Sequence, residues 1–203
     1  VIKSSGRAWH RSGRYGALIG RAVAEGKLLH LTMKEDQEPV DQVKVVNSGL
    51  NSLAEFARET KPQFSTEELT GAVAIATSRK RKVMVHANGR SPVMLAVKAG
   101  CHSIEHGFFM GRENLQLMAE HRTFWVPTIY TMKAYLEGIR TGLVNGSAAV
   151  LEKTIENQLQ QLMIARKEGV IVAVGTDSGS SGVFHGTSFS SELRLLSQAG
   201  YPT

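Results

Sequence analysis

Short apolar runs alternate with longer amphipathic segments along most of this chain. Five runs that contain β-branched or aromatic residues predict short strands: Val43–Val46, Val83–Ala87, Ser103–His106, Phe124–Thr128 and Val170–Thr176. The segments between them carry apolar residues at helical spacing. They predict helices that begin at Ser65 and Ser91 and others over Gly111–Arg122, Thr131–Gly142, Ser147–Lys167 and Thr187–Gln198. Strands that alternate with helices are typical of a parallel sheet.

Local signals mark two helix starts, whereas the first forty residues are less regular. Ser65 is followed three residues later by Glu68, the pattern of a capping box. Ser91-Pro92 predicts a cap followed by a proline at the first helical position. Near the start of the chain, the pattern indicates a strand at Val1–Lys3 and a loop rich in Gly, Arg and Ser over Ser4–Tyr15.

The spacing of the strands favours a barrel over an open sheet. Twenty residues separate His86 from His106, and the strand that contains Trp125 follows after about the same interval. No G-x-G-x-x-G sequence follows any predicted strand, so the signature of an open dinucleotide-binding sheet is missing. We therefore predict an α/β fold of the (β/α)8 TIM-barrel type, with residues 1–203 in one domain.

Composition and charge fit a globular protein and exclude several classes. The chain has 203 residues, of which 42% are hydrophobic and 21% charged. The net charge of +6 predicts a solvated basic surface, and we expect no nucleic-acid partner because the basic run at 79–82 lacks interleaved aromatics. No apolar run approaches the roughly 18 residues of a membrane span, so we expect no membrane partner. Cys101 is the single cysteine, and we expect a cytoplasmic protein.

Three of the predicted strands end on side chains that can bind a metal. His86, His106 and Asp177 each follow a short apolar run and have a glycine close behind. Strand ends form the catalytic mouth of a barrel, and imidazole and carboxylate are ligands of catalytic zinc. A carboxylate at position 177 is costly to bury unless it is paired or bound to a metal. Two alternatives stay open: the histidines are core residues bonded to backbone, or Asp177 caps the next helix.

Lys44 lies inside the strand Val-Lys-Val-Val and has two interpretations. It is a solvated residue of an edge strand, or it is a lysine buried at a barrel mouth. In the second case its pKa falls and the amine can react with carbon dioxide. The resulting carbamate is an anion that can bridge two metal ions.

Taken together, these blocks resemble the amidohydrolase superfamily of metal-dependent hydrolases, in its imidazolonepropionase-like and prolidase-like branch. The resemblance is carried by Val43-Lys44-Val45, Val83–Gly89, Ser103–Gly107 and Gly175–Gly179. The resemblance covers most of the chain from about Val40 onward. It implies that these four segments belong, in order, to strands four, five, six and eight of a barrel. The chain departs from the family in having no His-x-His sequence. We therefore expect a partial barrel, from about the third strand to the helix after the eighth, with open sheet edges that favour a homo-oligomer.

The resemblance also implies roles for these side chains. His86 and His106 would bind one metal, carboxylated Lys44 would bridge two, and Asp177 would bind a metal and act as general base and then general acid. Two further residues are candidates for substrate binding. Tyr130 either contacts the substrate or packs under the barrel rim, and His185 either shapes the pocket or is an ordinary loop histidine.

The predicted function is a metal-dependent hydrolase of C–N bonds that uses a metal-activated hydroxide. We expect zinc, as one or two ions, and a small-molecule or dipeptide substrate. A prolidase-like dipeptidase is favoured because a two-metal site uses Lys44. The alternatives are a cyclic-amide hydrolase resembling imidazolonepropionase and a non-catalytic barrel fragment that binds a ligand.

Overall fold

The computed structural model describes residues 1–202, which form a six-stranded parallel sheet with seven helices. The strands are β1 (Ala8–Arg11), β2 (Gly20–Val23), β3 (Val43–Val46), β4 (Val83–Ala87), β5 (Ser103–His106) and β6 (Phe124–Val126). The helices are α1 (Leu29–Glu35), α2 (Thr66–Ser78), α3 (Arg90–Lys98), α4 (Arg112–Glu120), α5 (Ile129–Arg140), α6 (Ala148–Glu168) and α7 (Thr187–Gln198).

The strand order is β2-β1-β3-β4-β5-β6, and all neighbours run parallel. From β3 to β6 the order in the sheet follows the order in the chain, with one helix between successive strands. This repeated unit confirms the predicted parallel α/β arrangement, because parallel neighbours need a crossover and a helix supplies it. Because strands β3 to β6 are parallel, their carboxyl ends all lie at the same edge of the sheet.

Alternate residues of each strand face opposite sides of the sheet. Val45, Val85, Ile104 and Trp125 are fully buried in the core shared with the helices. Residues one position away, such as Lys44, therefore lie on the other face. No helix within residues 1–202 has the length and apolarity to span a membrane.

Several predicted boundaries agree with the structure, and the reason is local chemistry. β3, β4, β5 and α7 have the predicted bounds. The capping box is confirmed, since the Ser65 side chain accepts from the Glu68 backbone and the Glu68 side chain accepts from Ser65. α3 instead begins at Arg90 with Gly89 as its N-cap, so Ser91 is not a cap.

The predictions for the beginning of the chain were wrong. Val1–Lys3 is not a strand, and the segment predicted as a loop contains β1. Neither β1 nor β2 has the run of β-branched residues that marks a strand. Their contacts are long-range instead: Trp9 pairs with Arg21 and with Val45, and the Arg21 guanidinium lies 4.2 Å from the Trp9 ring centroid.

The segment predicted as the last strand, Val170–Thr176, pairs with the sheet over only a short stretch. Trp125 and Val172 form an isolated parallel bridge. The backbone N–H of Trp125 donates to Ile171 at 2.9 Å, and that of Ala173 donates to Trp125 at 2.8 Å. Within residues 1–202 no second strand pairs with its other side, so the ladder stays short.

Candidate active site

A cavity of about 550 Å³ lies where the carboxyl ends of the strands open. All four predicted metal ligands line it: Lys44, His86, His106 and Asp177. They come from β3, the end of β4, the last residue of β5 and the loop after the short bridge of residues 170–176. Parallel strands bring these distant positions to one side of the sheet, which is where α/β enzymes build their sites.

The two imidazole rings contact each other. The ring centroids of His86 and His106 are 4.6 Å apart, at an interplanar angle of 65°. His86 Nε2 lies 3.1 Å from the carbonyl oxygen of Gly49. Because a carbonyl can only accept, Nε2 carries the proton and Nδ1 keeps its lone pair. On the other ring, Nδ1 of His106 lies 2.8 Å from Oγ1 of Thr128.

Both histidines are uncharged at neutral pH. Burial lowers the pKa of His86 well below its ordinary value, and the neighbouring His106 lowers it further. Burial also lowers the pKa of His106 to about 3, with a smaller contribution from Lys44. Neutral imidazole, with a free lone pair, is the protonation state in which a histidine can bind a metal.

The Lys44 amine is partly buried on the same face of the sheet. Burial lowers its pKa, while the carboxylates of Glu105 and Asp177 act in the opposite direction. A lowered pKa increases the fraction of neutral amine, which is the nucleophilic form. The edge-strand interpretation of Lys44 is wrong, since β3 lies between β1 and β4.

Asp177 was predicted to follow directly on a strand, and it lies instead in a loop beyond the isolated bridge at Val172. Its side chain is exposed rather than buried, and its Oδ2 accepts a hydrogen bond from the Ser180 hydroxyl at 3.2 Å. The residue does not cap the next helix, because α7 begins at Thr187 with Gly186 as its N-cap. Asp177 therefore presents its carboxylate to the cavity from a loop.

Three non-glycine residues at the cavity have left-handed backbone conformations. The φ angles are 69° for His106, 47° for Thr128 and 55° for Asp177. Such conformations cost about 1 kcal/mol or more each and persist where surrounding contacts hold them. At His106 the contacts are clear: its carbonyl oxygen accepts from Trp125 Nε1 at 2.9 Å and from Gln158 Nε2 at 2.7 Å. Three of the seven non-glycine residues with positive φ in residues 1–202 therefore line this one cavity.

Sequence reasoning missed two tyrosines that line the cavity, Tyr15 and Tyr135. The Tyr15 ring centroid lies 5.2 Å from that of His86. Burial raises the pKa of Tyr15, and Asp177 and Tyr135 raise it further, so its phenol stays protonated. Tyr15 stands in a Gly- and Arg-rich segment with no motif, and only the folded chain brings it to the strand ends. Much of the remaining wall is apolar: Leu18, Ile19, Leu50, Leu53, Phe108 and Met132.

The two predicted substrate-binding residues lie elsewhere. Tyr130 is the second residue of α5 and lines a separate cavity of about 390 Å³, while its neighbours Thr131 and Met132 face the first cavity. His185 is exposed in the loop before α7 and lines neither cavity within residues 1–202. The structure therefore does not bring Tyr130 or His185 to the four ligands.

Whether these side chains can hold a divalent cation depends on how many of them supply ligands. Within residues 1–202, no three His, Cys, Asp or Glu side chains are close enough to hold a metal by themselves. His86 and His106 supply two neutral imidazoles, and the Asp177 carboxylate shares their cavity. Imidazole and carboxylate are ligand types that suit zinc, and a carbamate on Lys44 would add an oxygen ligand to them.

Known proteins resemble this chain over most of its length. Ochratoxinase of Aspergillus niger is 35% identical over 143 residues, which are 69% of this chain and 29% of that protein. Its solved structure covers 98% of this chain with a TM-score of 0.77 at 23% identity, a likeness in fold.

Two further solved structures are similar to this chain. A Xaa-Pro dipeptidase with methionine bound in its active site has a TM-score of 0.76 and 27% identity, over 99% of this chain and 53% of that one. A prolidase complexed with N-methylphosphonate-L-proline has a TM-score of 0.75 and 25% identity, over 97% of this chain and 52% of that one. The chain thus spans about half the length of these structures.

The sequence also matches a family model over residues 17–201, whose description is "Amidohydrolase family". Together with the structural neighbours, the six parallel strands fit a partial TIM-barrel-like fold, as predicted. Because the match covers nearly all of the chain, this protein belongs to the amidohydrolase family.

Proposed function

We propose that the protein is a metal-dependent hydrolase of C–N bonds in amides or peptides. One observation carries this proposal: Lys44, His86, His106 and Asp177 come from four separate segments and line one cavity. The two neutral imidazoles and the left-handed backbone at two of these positions support it, because such features cluster at functional sites. Membership of the amidohydrolase family supports the class of reaction.

We propose zinc as the cofactor, with His86 and His106 as ligands and Lys44 as a ligand in its carbamate form. The neutral amine of Lys44 forms a bond to the carbon of carbon dioxide and releases one proton, which leaves an anionic carbamate. When bound, a divalent cation at this site supplies polarisation of a carbonyl oxygen and a lowered pKa of water. Burial of the two rings keeps them neutral and oriented for this task.

Asp177 is proposed to move the proton during hydrolysis. Its carboxylate is exposed to the cavity, and one oxygen is held by the Ser180 hydroxyl. The carboxylate takes a proton from the attacking water and then gives it to the nitrogen of the leaving amine. Tyr15 lines the same cavity and keeps its phenol protonated, and its proposed role is to donate a hydrogen bond to the carbonyl oxygen as that oxygen gains negative charge.

The first proposed substrate class is a dipeptide of the Xaa-Pro type. The cavity volume of about 550 Å³ lies within the range that holds small ligands. The similarity to a Xaa-Pro dipeptidase and a prolidase supports this choice over the cyclic amides also considered.

A second substrate class is an amide with a large apolar acyl group. Among residues 1–202, Lys44 is the single cationic side chain that lines the cavity, while six apolar side chains form much of its wall. Such a wall favours burial of an aromatic or aliphatic group. The identity with ochratoxinase supports testing amides beyond dipeptides.

The test is an assay of amine release from both classes. The full-length protein is prepared with zinc and bicarbonate and supplied with Xaa-Pro dipeptides or with N-aroyl amino acids. We expect turnover of at least one class that chelation abolishes and His106→Ala removes. His121→Ala is the matched control, since His121 is an exposed histidine at the end of α4. Tight binding without turnover of any amide would instead indicate the non-catalytic alternative.

A further inference from the structure

Glu192 is a fully buried acid in the middle of α7, and it does not line the cavity of the four proposed functional side chains. Its Oε1 accepts from the backbone N–H of Ile129 at 3.0 Å, and its Oε2 accepts from that of Tyr130 at 2.7 Å. Both donors belong to the first turn of α5. A buried carboxylate is costly unless its oxygens are bonded, and here both are.

The first turn of α5 depends on this distant carboxylate. The first N–H groups of a helix have no partner within the helix, and a side chain at the N-cap usually supplies one. The N-cap of α5 is Thr128, whose side chain makes no such bond. Its hydroxyl lies against His106 instead. Glu192 therefore performs the capping from more than sixty residues away.

The same turn of α5 contacts two segments of the proposed site. Thr128 Oγ1 lies 2.8 Å from His106 Nδ1. Thr131 Oγ1 donates to the carbonyl oxygen of Thr176 at 3.3 Å, and Thr176 immediately precedes Asp177. Any shift of this turn would move the hydrogen-bond partner of one proposed ligand and the backbone that precedes another.

We propose that Glu192 is a positioning residue, which clamps the first turn of α5 so that Thr128 orients the His106 ring and Thr131 anchors the loop before Asp177. This inference rests on the proposed function, because it assigns those two side chains to the site. Partners that orient metal ligands are worth about 10- to 100-fold in metal affinity.

The test compares two glutamates that each accept backbone hydrogen bonds at a helix start. Glu192→Gln keeps the shape of the side chain but places an N–H where an acceptor is needed. Glu68→Gln is the control: Glu68 is buried and accepts from the backbone N–H of Leu29, the first residue of α1, and from that of Ser65, the N-cap of α2. Unlike Glu192, Glu68 also pairs with the Arg11 guanidinium, at 2.6 Å. We expect both variants to melt at lower temperature. Zinc affinity, measured by competition with a chelating dye, should fall about 10- to 100-fold in Glu192→Gln and stay within about twofold in Glu68→Gln.

A second measurement follows the imidazole nitrogens of His106 by NMR in the zinc-free protein. We expect their chemical shifts to change in Glu192→Gln and not in Glu68→Gln. If Glu192→Gln does not fold, Glu192→Asp, which keeps the charge but is shorter, takes its place. Zinc affinity and His106 shifts that match wild type in either folded variant would overturn the positioning role. If wild type binds no zinc, the proposed function fails, and the His106 shifts still decide the role of Glu192.

Discussion

The imidazole rings of His86 and His106 lie 4.6 Å apart between centroids, although twenty residues separate them in the chain. The β4-α3-β5 unit places their two strands side by side. In the register of these strands His86 is opposite Glu105 and Ala87 is opposite His106, so regular pleating alone would not bring the two rings together. The backbone of His106 is left-handed, with φ 69°, and this departure from the extended conformation at the end of β5 accompanies the ring contact. Two neutral imidazoles at this distance give the protein a pair of lone-pair donors that one cation can share.

We expect Thr128→Val to weaken zinc binding about 10- to 100-fold, because valine keeps the branched shape but cannot bond to Nδ1 of His106. Competition with a chelating dye measures this change. Thr154→Val is the control, since Thr154 is a buried threonine of α6 whose hydroxyl donates within its own helix. Equal zinc affinities in the two variants would show that Thr128 does not orient the ring.

Tyr15→Phe should reduce kcat/KM about tenfold, the value of one hydrogen bond of roughly 1.4 kcal/mol to the reacting carbonyl. Phenylalanine preserves the ring contact with His86, so zinc content should not change. Steady-state kinetics and elemental analysis together check both statements. Tyr201→Phe removes a hydroxyl that donates to Leu162 instead, and it should leave kcat/KM unaltered. Unchanged kinetics in Tyr15→Phe would exclude the phenol from the reaction.

Gly175→Ala should destabilise the protein by about 1–3 kcal/mol in urea unfolding, the usual cost of overpacking. A Cβ at this position would meet Cγ1 of Val126, too close for two carbon atoms. Val126→Ala removes that obstacle. The double variant should therefore lose less free energy of unfolding than the sum of the losses in the two single variants. If the two losses simply add, the contact with Val126 is not the reason why alanine at position 175 destabilises the protein.

Glu192 should make stability fall as pH rises from about 4.5 to 7. Burial raises its pKa to about 7 in the folded protein, against the two backbone hydrogen bonds that lower it. Between the unfolded and folded pKa values the folded state binds more protons, so its free energy of unfolding decreases with pH, by about 3 kcal/mol at most. Urea unfolding at several pH values should show a smaller decrease in Glu192→Gln. Parallel curves for the two proteins would contradict this assignment.

The sequence allowed the central strands and their terminal side chains to be predicted, because both are encoded locally. Val83–Ala87 is an apolar run with two β-branched residues and has His86 as its last residue but one, whereas Ser103–His106 ends at its histidine, and the structure has the same bounds. β1 and β2 lack that pattern, and their pairing depends on contacts such as Trp9 with Val45.

The tyrosines that line the cavity, and Glu192, which accepts hydrogen bonds from the start of α5, could not be predicted in the same way. Tyr15 reaches the strand ends only through the path of a loop, and Tyr135 does so through the orientation of α5. Glu192 acts on α5 across more than sixty residues. Such long-range contacts leave no period or motif in a single sequence. The predicted strand Val170–Thr176 is reduced to an isolated bridge at Val172 for a related reason, since its pairing depends on contacts that the local sequence does not encode.

Metal content tests the central claim most directly: Lys44, His86, His106 and Asp177 form one metal-dependent site. The full-length protein, prepared with zinc and bicarbonate, is analysed by elemental analysis beside Lys44→Ala and the control His121→Ala. We predict one or two zinc ions per chain in wild type and in His121→Ala, and at least one fewer in Lys44→Ala. Wild-type protein without stoichiometric zinc, or Lys44→Ala with the full wild-type content, would contradict the account.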